Sequence, residues 1–250
     1  MSAPSMAWDP PPVTLILGRD EVHVWRATLD QTAAGVRNLW PNLVVDERAR
    51  AERFRFQKDR EHFIVARGLL RALLGRYLAM EPSQLRFSYS LHGKPALAWD
   101  SGGDGLRFNV SHSHRLALFA ISYGRELGID VERIRAGVAS EQTAERFFSP
   151  SEVAVLCSLP SHLRTTAFFH CWTRKEAYIK ARGEGLSLPL DQFAVSLAPG
   201  EPPALLSTQQ DPHEASRWSL QELNPGPGYV AALAVEGHHW KLRCWQWPGV

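Results

Sequence analysis

Apolar and polar positions along the chain fall into a series of helical and strand-like stretches that occurs twice. From Glu61 to Met80, Phe63, Ala66, Leu70, Leu73, Leu74 and Tyr77 recur at helical spacing, which predicts an amphipathic helix with one face in a core. Thr165–Arg182 predicts a second, because neither Gly nor Pro interrupts Leu163 to Ala181. A strand-like segment follows each helix, Leu85–Ser90 and then Gln192–Leu197. Connections punctuated by Gly and Pro lead on to two strongly apolar strands, Leu116–Ser122 and Tyr229–Val235. Leu127–Glu132 continues the first series, as Leu242–Trp247 continues the second. The tetrapeptide Ala51-Glu52-Arg53-Phe54 ahead of the first helix returns as Ala144-Glu145-Arg146-Phe147 ahead of the second.

This repetition predicts an α+β fold, a pseudo-dimer of two similar α+β subdomains joined near residues 123–127. Residues 1–125 form the first and 126–250 the second. The active site is expected in the cleft between them, a common place for a small-molecule site. Low-complexity sequence is confined to the Pro-rich start, Met1–Pro12, and to the loop Ala198–Pro203.

Within this frame two short motifs carry chemistry. Leu127–Val131 reads as a strand, so Asp130 and Glu132 share one face while Ile129 and Val131 take the other. Two neighbouring carboxylates repel each other; solvent or a divalent cation, most simply Mg²⁺, relieves this. In the second predicted helix Trp172, Glu176 and Lys180 lie at i, i+4 and i+8, which lines up an aromatic, an acid and a base. Taken singly, each feature has an ordinary explanation. An Asp-x-Glu pair is usually a solvated strand edge, a Glu–Lys pair at this spacing a surface ion pair, and a lone Trp part of a core.

Phe108-Asn109-Val110-Ser111-His112-Ser113-His114 reads as a turn whose hydroxyls and imidazoles suit phosphate oxygens, or as an exposed polar turn. His92-Gly93-Lys94-Pro95 is a second turn, presenting Lys94. Arg48, Arg50, Arg53, Arg55 and Lys58 form a basic run broken by Glu47 and Glu52: a solvated helix face, or contacts to an anionic tail. Arg67 lies on the first helix, where a snorkelling arginine at the core edge is the ordinary reading. The pair His112-x-His114 lacks a third zinc ligand nearby, and His238-His239 reads as surface. Walker A, dinucleotide-binding Gly-rich and Gly-x-Ser-x-Gly motifs are absent.

Composition narrows the setting. A net charge of +2 implies no general affinity for polyanions, so no nucleic-acid partner is expected. The three cysteines, Cys157, Cys171 and Cys244, lack metal-binding spacing and fit a reducing compartment. No apolar run approaches the ~20 residues that span a bilayer, and Met1–Pro12 lacks the basic and apolar regions of a signal peptide. A soluble cytoplasmic protein without a membrane partner is expected.

Read in order, the motifs resemble the 4′-phosphopantetheinyl transferases of the surfactin-synthetase-activating type, in the holo-acyl-carrier-protein synthase superfamily. The matching pieces are Gly93-Lys94-Pro95, Phe108–Ser113, Gly128-Ile129-Asp130-Val131-Glu132, Arg146-Phe147-Phe148-Ser149, Trp172–Lys180 and Gly185–Asp191. The match runs from about Arg48 to the C-terminus and is densest between residues 90 and 195.

The resemblance implies transfer of the phosphopantetheine arm of coenzyme A to a serine of an acyl, peptidyl or aryl carrier protein, with release of adenosine 3′,5′-bisphosphate. Such carriers serve fatty-acid, polyketide and nonribosomal-peptide synthesis. It further implies Mg²⁺, with Mn²⁺ as the alternative, on Asp130, Glu132 and Glu176, and a catalytic set of Glu176, Asp130 and Lys180 with Glu176 as general base. Coenzyme A contacts would come from Lys94, Ser111, His112 and Lys180, with Arg50 and Arg67 added from the less well aligned early helices. The pseudo-dimer plan needs no second chain, so a monomer is expected. One departure is that the early lysines some relatives place near the adenosine 3′-phosphate are replaced here by arginines with Glu47 interposed, which leaves Arg48, Arg50 and Arg53 as candidates. Two other readings are a non-catalytic module that binds carrier protein and coenzyme A, and a Mg²⁺-dependent nucleotide phosphohydrolase.

Overall fold

Two helices of 22 residues, α3 (Gln57–Leu78) and α6 (Ser161–Arg182), form the outer layers of the molecule. They enclose two β-sheets in a computed structural model that describes residues 7–98, 105–135 and 137–249. The start of the Pro-rich segment therefore lies outside the described residues.

The first sheet holds β1 (Glu21–Thr28), β4 (Leu106–Ser113), β5 (Leu116–Tyr123) and β11 (Lys241–Gln246), in the order β11-β1-β5-β4. The second holds β6 (Leu127–Arg133), β9 (Trp218–Leu223) and β10 (Tyr229–Glu236), in the order β6-β10-β9. Small hairpins, β2 (Phe87–Tyr89) with β3 (Pro95–Leu97) and β7 (Phe193–Val195) with β8 (Leu205–Thr208), complete the two plans. The remaining helices are α1 (Ala33–Leu39), α2 (Val45–Glu52), α4 (Glu141–Phe147) and α5 (Pro150–Ser158).

Period two along the central strands explains the layering. Trp25, Ala27, Phe119 and Ile121 face the apolar stripe of α3, including Ile64, Leu69, Leu73 and Leu74. Their neighbours Val22, Val24, Leu118 and Ala120 point the other way and meet Ile129, Val131, Ala231, Leu233 and Val235 of the second sheet. The far face of that sheet, with Ala232 and Ala234, packs on Phe168, Ala177 and Tyr178 of α6. Both faces of the inner strands are buried, which is why β5 and β10 read as continuous apolar runs.

The two halves correspond: β1-β5-β4 under α3 matches β6-β10-β9 under α6. This is the expected pseudo-dimer of α+β subdomains, with two reassignments. Leu127–Arg133 opens the second half rather than closing the first, because it pairs with β10. The last strand crosses back and runs parallel to β1 at the edge of the first sheet, with Val24 opposite Cys244. Strand periodicity shows that a segment is extended but not which edge it joins. A third correction concerns Phe108–His114. Leu106–Ser113 is a strand, and the turn begins at His114, with φ of 55°. Among the described residues no helix is long and apolar enough to cross a membrane.

Candidate active site

Gly128 determines how closely α6 approaches β6. A Cβ at this position would lie 2.1 Å from the Ala177 carbonyl oxygen and 2.3 Å from the Ala181 nitrogen, both backbone atoms. Only glycine lets the helix sit this low on the strand. At that height the stripe Trp172, Glu176, Lys180 lies over the strand face that bears Asp130 and Glu132. The residues between the stripe members are buried apart from those three, so the stripe is the open side of an otherwise enclosed helix segment.

These side chains, with Val110, Ser111 and His112 of β4, line a recess of about 410 Å³. Asp130 is 4% exposed, and its Oδ1 accepts from Lys180 Nζ at 2.7 Å and from Ser111 Oγ at 2.9 Å. Its Oδ2 is buried without a hydrogen-bond partner among the described residues. Glu132 Oε2 accepts from Ser113 Oγ at 2.8 Å. Burial raises the proton affinity of Asp130 despite the opposing Lys180 ammonium and Ser111 hydroxyl. Glu132 is raised by burial and then by the Asp130 charge. Glu176 is raised by burial, then by Asp130 and Glu132, against the opposing Lys180. Three carboxylates thus share one recess at mutual cost.

The recess opens beside a larger cleft of about 910 Å³, with Val110 and His112 in both linings. Its lining combines apolar side chains (Leu29, Phe63, Ala66, Leu70) with the bases Arg50, Lys58, His62, Arg67 and His114 and the acids Asp46, Glu47 and Asp59. Burial, with Lys180 and His62 nearby, lowers the proton affinity of His112, leaving a neutral imidazole with one donor and one acceptor nitrogen.

The sequence-predicted residues fall into three groups. Asp130, Glu132, Glu176, Lys180, Ser111 and His112 converge on the recess. Arg50 lines the cleft with its guanidinium 5.2 Å from the Phe63 ring centre, and Arg67 lines it while donating to Glu47 and to the Tyr89 hydroxyl. Arg48 turns to Trp40 and the Pro41 carbonyl, and Arg53 lines a neighbouring groove. Lys94 stands apart. Gly93 and Pro95 line the cleft, but the Lys94 ammonium donates to the Ala181 carbonyl at 2.9 Å and to Glu126 at 3.0 Å. Glu47, which interrupts the basic run, is buried between Arg67 and Arg71. No sequence pattern pointed to His62, and Lys58 and Ser113 entered only as members of the basic run and of the Phe108–His114 segment. Period two along β4 singles out Ser113 further, since it puts Asn109, Ser111 and Ser113 on one side.

Residues 24–123 match the family model described as 4′-phosphopantetheinyl transferase, N-terminal, and residues 126–234 match that of the 4′-phosphopantetheinyl transferase superfamily. The 4′-phosphopantetheinyl transferase HetI of Nostoc sp. (strain PCC 7120) is 45% identical over 240 residues, covering 96% of this chain and 98% of that protein. The chain belongs to the 4′-phosphopantetheinyl transferase superfamily. The transferase Sfp of Bacillus subtilis (strain 168) is 34% identical over 152 residues, 61% of this chain and 65% of its own length. Among solved structures, Thermotoga maritima holo-acyl-carrier-protein synthase aligns with 45% of this chain and 62% of its own, at 23% identity and a TM-score of 0.36. The two family models meet at the link between β5 and β6, and the recess takes residues from both matched regions: Ser111 and His112 from one, Asp130, Glu132, Glu176 and Lys180 from the other.

Proposed function

We propose that the recess is where this transferase passes the 4′-phosphopantetheine arm of coenzyme A to a serine of an apo acyl, peptidyl or aryl carrier protein. Adenosine 3′,5′-bisphosphate is the other product. The observation that carries this reading is the continuity at Val110 and His112 between a carboxylate-lined recess and a long cleft that presents Arg50, Lys58 and Arg67 among the acids Asp46, Glu47 and Asp59. A long substrate with phosphates in its middle can lay its nucleotide end along Arg50, Lys58, His62 and Arg67 and its reacting pyrophosphate beside Glu176. Lys180 and His112 then face the phosphate oxygens where charge builds on bond cleavage.

The donor set fits a hard divalent cation, Mg²⁺ or Mn²⁺. All three candidate ligands, Asp130, Glu132 and Glu176, are carboxylates, and the buried Asp130 Oδ2 has no partner among the described residues. Among the described residues no three such side chains already converge as ligands, so coordination requires a shift of at least one of the three carboxylates. When bound, such an ion would supply charge neutralisation and Lewis-acid polarisation at the pyrophosphate.

The chain's own residues supply the proton chemistry. The carrier serine oxygen bonds to the phosphorus that bears the pantetheine arm, the pyrophosphate P–O bond breaks, and the serine proton passes to Glu176. Both halves of the site come from one chain, which supports action as a monomer. No disulfide joins the cysteines, in keeping with a cytoplasmic setting.

The test is intact mass spectrometry of apo fatty-acid, polyketide and peptide carriers incubated with the protein, coenzyme A and Mg²⁺. EDTA and Asp130→Ala serve as controls. A gain of one phosphopantetheine that both controls abolish is expected. Modification that persists in Asp130→Ala would reject the site assignment, and no gain on any carrier would reject the function.

A further inference from the structure

β4 and β6 are the facing edges of the two sheets, and among the described residues neither pairs with the other through a backbone ladder. Side chains take its place. The Ile129 N–H donates to Asn109 Oδ1 at 3.0 Å, the Val131 N–H to Ser111 Oγ at 3.3 Å and the Arg133 N–H to Ser113 Oγ at 3.1 Å. Period two puts the three acceptors on one side of β4 and the three donors on the outward edge of β6.

The two hydroxyls do more than accept. Ser111 donates its proton to Asp130 Oδ1 at 2.9 Å, and Ser113 donates to Glu132 Oε2 at 2.8 Å. A hydroxyl has one proton and two lone pairs. Ser111 spends its proton on Asp130 and accepts from the Val131 N–H and from Lys180 Nζ at 3.0 Å, so it is saturated. Ser113 likewise has no proton left to offer an anion. In this arrangement the proton of each hydroxyl is already committed to a carboxylate. Both are fixed at the backbone of β6 and aimed at successive carboxylates on it.

We propose that Ser111 and Ser113 are positioning residues. Anchored on β6 by its own N–H groups, they hold Asp130 and Glu132 in the orientation a divalent cation requires, so that a strand of the first subdomain sets ligand geometry in the second. The inference rests on the cation site proposed above. Partners that orient carboxylate ligands typically govern metal affinity by about 10–100-fold.

Ser113 is the better probe, since it is partly exposed and Ser111 is buried. Mn²⁺ binding is measured by electron paramagnetic resonance, and coenzyme A binding by calorimetry in EDTA. The proteins compared are wild type, Asp130→Ala, Ser113→Ala, Ser113→Thr and Ser111→Ala, with melting curves to confirm folding. Ser113→Ala is expected to weaken Mn²⁺ binding about tenfold or more and to leave coenzyme A affinity within about twofold. Ser113→Thr, which keeps the hydroxyl, should restore the metal. Ser111→Ala should follow Ser113→Ala if it folds. A folded Ser113→Ala that binds Mn²⁺ like wild type overturns the positioning role, and weakened coenzyme A binding in EDTA would make Ser113 a phosphate donor. Wild type that does not bind Mn²⁺, or Asp130→Ala that binds it normally, overturns the underlying cation site instead.

Discussion

Glu176 faces the recess with its proton affinity raised by burial and by two neighbouring carboxylates, which separates it from an ordinary helix-surface glutamate. If it takes the serine proton, Glu176→Gln should lower kcat by about 10²–10⁴-fold, or roughly 3–5 kcal/mol of barrier. The KM for coenzyme A should hardly change. Steady-state formation of holo-carrier measures both, and a loss under tenfold would leave Glu176 as a dispensable ligand. His23 makes a prediction away from the site. It is fully buried in β1, with Nδ1 2.8 Å from the Tyr77 hydroxyl and its ring edge-on to Trp245. Burial, only partly offset by Glu21, lowers its pKa from 6.5 to about 4. A lowered folded value means that the unfolded chain takes the proton first. The contribution of His23 is therefore complete above pH 6.5 and is lost as pH falls towards 4, about 3 kcal/mol over that window. Urea midpoints from pH 7 to pH 4.5 should fall more steeply in wild type than in His23→Gln; parallel curves would show that His23 is not the sensor.

At the level of elements, the site depends on how low α6 rides on β6. Gly128→Ala would place a methyl group against backbone that cannot rotate aside, so a loss of at least about 3 kcal/mol is expected, with α6 displaced and activity falling with it. Thermal melting and turnover measured together check this; a wild-type Tm would show that the helix has room. The same C-terminal end of α6 is also held by the β2–β3 hairpin. Lys94 donates to the Ala181 carbonyl in the last turn and to Glu126, which Arg107 also pairs. Lys94→Met and Glu126→Gln should each cost about 1 kcal/mol and combine to less than their sum. A coenzyme A KM that rises only in Lys94→Met would return Lys94 to the ligand. The same elements show what sequence could reveal. Asp130, Glu132, Glu176 and Lys180 were legible because strand and helix periods fix which side chains share a face. α3 and α6 were legible because their patterns are long. β4 was misread as a turn because Asn109, Ser111 and Ser113, which serve a neighbouring strand edge, have the composition of a turn. The pairings of Lys94 and Glu47 were not legible because an ion pair across elements leaves no local pattern. Lys58 and His62 reach the cleft only through tertiary packing.

The whole molecule is two similar halves built on one shared core. Val22, Val24, Leu118 and Ala120 of the first sheet share one core with Ile129, Val131, Leu233 and Val235 of the second. β11 leaves the second half to pair along β1 from Glu21 to Arg26, and it brings Trp245 within 5.0 Å of Trp25. Residues 1–125 alone would therefore expose both the inner face of β1 and β5 and the unpaired edge of β1, an open apolar strand of the kind that aggregates. Removing residues 238–250 would strip the same edge while leaving the recess untouched in sequence. If the shared core and the returning strand make the halves interdependent, neither fragment should show a cooperative urea transition. The intact protein should melt in one step, with calorimetric and van't Hoff enthalpies equal. Two resolved transitions in the intact chain, or a cooperative transition in the 1–125 fragment, would show that each half is stable by itself. The coupling between them would then reside in the Asn109, Ser111 and Ser113 contacts to β6 rather than in the core beneath.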